Sequence, residues 1–112
     1  MTRRLAVAVL ILGVITFMGS SVSWAEKTHL AEATEHTQAA VEHGKAKHGD
    51  MLIEHADAAL KHAEAAQKEK ANTHTAAAIK GLQDAIKQAK DGKADVATKS
   101  AEGALTHLKA VK

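Results

Sequence analysis

"HTQAAVEHGKAKHGDMLIEHADAALKH", residues His36 to His62, holds five of the eight histidines in the chain. With His29 they fall into two runs: His29, His36 and His43, then His48, His55 and His62. Each run steps by seven residues, and a step of five joins them. Seven residues are close to two helical turns, so each run makes a stripe that drifts by about 20° per heptad. Gly49-Asp50 lies between the stripes as a helix stop followed by an N-cap candidate. The stretch therefore reads as helix, turn, helix, with histidines along one edge of each helix.

The same grammar extends toward the C-terminus. From Glu26 onward there is no proline, and Ala, Lys, Glu and Leu, strong helix formers, dominate. The punctuation is Gly49-Asp50, Asn72-Thr73 and Asp91-Gly92 through Asp95, with Asp50, Thr73 and Asp95 as capping candidates. These marks predict four helices near residues 28–48, 51–70, 74–91 and 96–111. Sliding the chain by 45 places Thr28-His29 on Thr73-His74, Val41 on Ile86, Ala59-Leu60 on Ala104-Leu105, and His62 on His107. The expected fold is all-α, an antiparallel four-helix bundle built from two duplicated helical hairpins, 28–70 and 73–111. Under the same shift His36, His43, His48 and His55 fall on Gly81, Gln88, Lys93 and Ser100, so the first hairpin carries most of the histidines.

The N-terminus has a different character. Thr2-Arg3-Arg4 precedes an apolar run, Leu5 to Met18, and Ser23 and Ala25 stand at the −3 and −1 positions of a cut. This is the layout of a secretory signal peptide over residues 1–25. It implies an exported helical domain over residues 26–112, with no stable membrane association after cleavage. There is no cysteine, hence no lipoprotein attachment site and no disulfide framework. Both arginines and the sole Trp and Phe (Trp24, Phe17) belong to the leader; the remainder has as many lysines as acids. A neutral domain without aromatic platforms gives no basis for nucleic-acid binding.

Large apolar residues are few: Leu30, Val41, Leu52, Ile53, Leu60, Ile79, Leu82, Ile86, Leu105 and Leu108. In the first helix the seam runs through Leu30, Ala33, Thr37, Ala40 and Gly44; in the second, through Leu52, Ala56, Ala59 and Ala63. Both assignments put His29, His36, His43, His55 and His62 at the core edge that faces the neighbouring helix. A turn centred on Gly49 sets His43 level with His55 and His36 level with His62. It leaves His48 near the turn and His29 near the open end.

Imidazole is the commonest metal-binding side chain and binds in its neutral form. Without thiolate it suits Cu(II), Ni(II) and Zn(II), with Cu(II) highest in intrinsic affinity. Nearby acids, among them Glu32, Glu35, Glu42 and Glu54, supply local negative charge and acceptors for the second ring N–H. Paired ligands at a helix edge predict shallow, solvent-accessible sites rather than a closed four-ligand structural zinc. The competing reading is a structural or protein-interaction module whose histidines are incidental or pH-sensing. An enzyme is not indicated: Glu26-Lys27-Thr28-His29 is the lone Glu-x-x-His match, no haem-attachment motif is present, and the glycines are isolated.

The runs "EHTQAAVEHGK", "HGDMLIEHADAALKHA", "NTHTAAAIKGLQDAIK" and "VATKSAEGALTHL", in that order, resemble the small metal-binding protein family of Gram-negative bacteria. The resemblance covers the whole of residues 26–112. It implies an exported helical protein that binds divalent metals, copper foremost, and scavenges or buffers them. It further implies metal ligation at His29, His36, His43, His48, His55, His62, His74 and His107. It does not carry to Gly81, Gln88, Lys93 and Ser100, where the family pattern has histidine.

Overall fold

The computed structural model describes residues 28–111; the leader expected over residues 1–25 lies outside them. Among the described residues there are four helices and no strand: α1 (His29–Lys45), α2 (Gly49–Glu69), α3 (Thr73–Lys90) and α4 (Ala94–Ala110). No helix among them is long and apolar enough to cross a membrane. Each packs mainly against two others, α1 and α3 both lying against α2 and α4.

Alanine fills most of the core. Val41, Leu52, Leu82 and Leu108 are the larger buried apolar residues, and Leu30, Ile53, Leu60, Ile79, Ile86 and Leu105 pack half-buried around them. The expected seams are buried along α1 (Ala33, Thr37, Ala40, Gly44) and α2 (Leu52, Ala56, Ala59, Ala63). Where a threonine enters the core it stays satisfied within its own helix. The Thr37 hydroxyl donates to the Ala33 carbonyl at 2.7 Å, and that of Thr98 to Ala94 at 2.7 Å. Small side chains let the helices come close but bury little area each, so the apolar contribution to stability is modest.

One glycine marks the closest approach. A Cβ on Gly44 would run into Thr98 Oγ1 of α4 and lie 2.8 Å from Leu52 Cδ1 of α2. Gly44 is thus the point where α1 is pressed against two neighbours at once.

The turns differ from the sequence expectation in a regular way. Asn72, not Thr73, caps α3, accepting from the His74 and Thr75 N–H groups at 2.7 and 3.4 Å. Thr28 caps α1 through the Ala31 N–H at 3.0 Å. Asp50 and Asp95 lie inside the first turns of α2 and α4, where a carboxylate complements the positive helix end. The capping positions there are His48 and Lys93, neither of which makes a side-chain cap bond.

The α1–α2 and α3–α4 turns are closed by the same bonds, 45 residues apart. The His48 N–H donates to the His43 carbonyl at 2.8 Å, and the Lys93 N–H to Gln88 at 2.9 Å. One residue earlier, Lys47 donates to Gly44 and Gly92 to Ala89, both at 3.0 Å. This is the paired bonding of a Schellman helix end, which needs a left-handed residue. Gly92 supplies it at φ +81° and Lys47 at φ +66°. α1 therefore ends at Lys45, earlier than expected, because a 6→1 bond from His48 takes over the carbonyls of its last turn.

Candidate metal centre

Six histidines of α1 and α2 form one ladder, in the order His48, His43, His55, His36, His62, His29. His43 lies with its ring centroid 6.2 Å from His48 and 5.1 Å from His55. His36 is 5.6 Å from His55 and 5.8 Å from His62, and His29 is 5.3 Å from His62. The rungs alternate in kind. His43–His55 and His36–His62 are stacked, with interplanar angles of 6° and 4°. His29–His62 and His36–His55 are tilted and meet nitrogen to nitrogen, Nδ1 to Nδ1, at 3.0 and 3.4 Å.

Those nitrogen separations decide what the pairs can do. Two imidazole nitrogens on one ion at ~2.0–2.1 Å, roughly 90–110° apart, lie about 3.0–3.4 Å from each other. The same spacing also suits an N–H···N hydrogen bond between neutral rings. The pairs therefore stand at ligand spacing as they are, and a metal held between two rings would take the place of the proton they share.

The outer nitrogens face carboxylates. Glu32 Oε1 lies 3.9 Å from His62 Nε2, and Glu69 Oε2 lies 3.8 Å from His29 Nε2. Glu32, His36 and His62 each offer one ligand atom, all within 4.8 Å of one another. The set is half-buried: the His62 side chain is 26% exposed and that of Glu32 38%. An ion held there would have protein on one side and solvent on the other.

The two cross-helix pairs expected from the sequence, His43 with His55 and His36 with His62, are the stacked rungs. The nitrogen-to-nitrogen contacts are made one step over, because the turn is centred near Ala46-Lys47 instead of Gly49. That shift brings His29 into the ladder and leaves His48 exposed at the α2 cap. The acids directly preceding histidines, Glu35, Glu42 and Glu54, are exposed. Successive helical residues do not share a face, so the flanking carboxylates come from a turn away. Glu69 was not foreseen; it is the next heptad step after His62, which is the signal that reveals it.

His74 and His107 form a separate pair on α3 and α4, Nδ1 to Nδ1 at 3.2 Å and ring centroids at 5.5 Å. They stand 45 residues beyond His29 and His62 and repeat their contact. The rest of the ladder has no counterpart there. The Gln88 amide and the Ser100 hydroxyl share a 2.7 Å hydrogen bond at the place of the His43–His55 stack. A Cβ on Gly81, at the place of His36, would lie 3.2 Å from Ala104 Cβ and 3.3 Å from the Ser100 carbonyl oxygen.

Among known families, the model described as small metal-binding protein matches residues 3–111. No curated protein matches the chain.

Proposed function

The chain belongs to the small metal-binding protein family, and on that premise we propose that it is a periplasmic protein that holds divalent transition metals, Cu(II) foremost, for storage, buffering or detoxification. The observation that carries this reading is the set of Nδ1–Nδ1 contacts at 3.0, 3.4 and 3.2 Å between histidines of different helices. Neutral imidazole with an occasional carboxylate is a donor set that ranks Cu(II) above Ni(II) and Zn(II). All eight histidines, His29, His36, His43, His48, His55, His62, His74 and His107, are ligand candidates, and His29, His36, His55 and His62 are the best placed. The family is one of metal binders, not enzymes, and the ladder is read as holding its ion without transforming anything.

The scaffold in this reading is an antiparallel bundle of two copied hairpins. The repeated turn bonds and the repeated His29–His62 and His74–His107 contacts support it. Export is supported by Arg3-Arg4, the apolar run Leu5 to Met18 and the Ser23-Trp24-Ala25 cut pattern.

Calorimetric titration of the protein with Cu(II), Ni(II) and Zn(II) in parallel tests the function. Cu(II) should bind tightest, and an absence of heat and of bound copper would sink the proposal. Mass spectrometry of the periplasmic fraction tests the location. A chain starting at Glu26 is expected there, and an intact Met1 terminus in the membrane fraction would rule export with cleavage out.

A further inference from the structure

The ladder has more rungs than its rings can use at once. His62 meets His29 through Nδ1 at 3.0 Å, and it also belongs with Glu32 and His36 to a group within 4.8 Å. His36 has the same double membership, meeting His55 at 3.4 Å. A neutral imidazole has one nitrogen with a free lone pair and one N–H. His36 and His62 can therefore each serve one ion at a time, in one rung or the other.

Resting on the metal-binding reading above, we propose that the seam has two mutually exclusive modes of occupancy. In the first, one ion sits centrally on Glu32, His36 and His62. In the second, two ions sit on the outer pairs, His29–His62 and His36–His55.

The donor count orders the modes. The central mode gives an ion three donors, one of them an anionic carboxylate, which a divalent cation favours over a neutral ligand. Each outer pair gives two neutral donors; behind the His29–His62 rings stand the carboxylates of Glu69 and Glu32, at 3.8 and 3.9 Å. Scarce metal fills the centre. As metal becomes abundant, the first ion gives up Glu32 and His36 and keeps His62 together with His29, and a second ion takes His36 together with His55. Capacity doubles while affinity per ion falls, so binding spans a wider range of free metal than two identical independent sites allow. No backbone movement is required, since the outer pairs already stand at ligand spacing.

Cu(II) titration followed by electron paramagnetic resonance tests this, in H74Q/H107Q protein so that the α3–α4 pair is silent. At low loading we expect one spectrum with mixed nitrogen and oxygen ligation. On further addition it should be replaced by a second, nitrogen-dominated spectrum broadened by a neighbouring Cu(II). Glu32→Gln should abolish the first spectrum and weaken the first ion's binding by at least about tenfold, while the second spectrum persists at saturation. His29→Gln should preserve the first spectrum and prevent the second from completing. A first spectrum that persists unchanged as the second grows, or a low-loading spectrum indifferent to Glu32→Gln, would overturn the two-mode assignment while leaving metal binding intact. Absence of any bound-copper spectrum overturns both.

Discussion

Replacing Gly44 by alanine sets two physical effects against each other at one atom. Gly44 lies in the last turn of α1, and in a bare helix the exchange of glycine for alanine gains about 1 kcal/mol. Here the added Cβ would meet Thr98 Oγ1 and stand 2.8 Å from Leu52 Cδ1 and 3.1 Å from Thr98 Cβ. Leu52 is fully buried and Thr98 is 7% exposed, so neither can swing into solvent. Forcing an atom into such a site typically costs about 1–3 kcal/mol. Packing should win, leaving a net loss of up to about 2 kcal/mol, which at its upper end is roughly 8–16 °C in melting temperature for a domain of this size. Gly103 is the control: it lies on exposed α4 surface, and nothing stands within 4 Å of its added Cβ. Gly103→Ala should stabilise by about 1 kcal/mol. Thermal and urea unfolding followed by circular dichroism would measure both. Thr98→Ala removes the nearest obstructing atom, so the double variant should recover part of the Gly44→Ala loss. If Gly44→Ala stabilises as Gly103→Ala does, α1 does not approach α4 as closely as described, and the placement of His43 beside it is wrong too.

Three further expectations concern the histidines and the turn. Changing His36, His43, His55 and His62 together to Gln should remove most Cu(II) capacity, whereas changing His74 and His107 should remove a minor part; equal losses by calorimetry would contradict the ladder. Cu(II) at a hundredfold excess over its dissociation constant should stabilise the fold by about 2.7 kcal/mol if it binds the native state alone. Scanning calorimetry should show that gain at pH 7.5 and lose most of it at pH 5, because protonated imidazole cannot ligate; an unchanged melting temperature at the higher pH would refute clamping. Lys47→Gly should raise stability by about 0.5–1 kcal/mol by relieving the left-handed backbone at φ +66°. Its lost ion pair with Asp95, at 2.9 Å between side chains 70% and 77% exposed, contributes little, and a fall in the urea midpoint would show that the turn is held otherwise.

The heptad steps made the helix faces legible, because a side chain's direction on a helix follows from its number. That is why Ala33, Ala40, Ala56, Ala59 and Ala63 could be assigned to the core, and the histidines to its edge, from spacing alone. Register is another matter. It depends on which residue takes the left-handed conformation, and Lys47 gives no compositional hint of that, whereas Gly92 does. A displacement of the turn by about two residues moved the nitrogen contacts one rung along and drew His29 in. The carboxylates were legible in part. Glu32, one turn before His36, was expected near the rings and faces His62, whereas Glu69, a heptad beyond His62, was missed because adjacency in sequence drew attention to Glu35, Glu42 and Glu54.

Gly81 has a consequence for anyone wishing to enlarge the capacity of this protein. The natural design is to complete α3 and α4 with histidines at positions 81 and 100, copying His36 and His55. In the first pair of helices a full imidazole is accommodated at that level; in the second, even a methyl group at position 81 would press on Ala104 and on the α4 backbone at 3.2 and 3.3 Å. A ring grafted there has no room, since its Cβ alone already meets α4. Trimming Ala104 to glycine would remove one of these contacts but not the Ser100 carbonyl oxygen, so a graft must begin by re-spacing the scaffold. Donor chemistry can be copied one residue at a time, but the distance between two helix axes belongs to the whole interface.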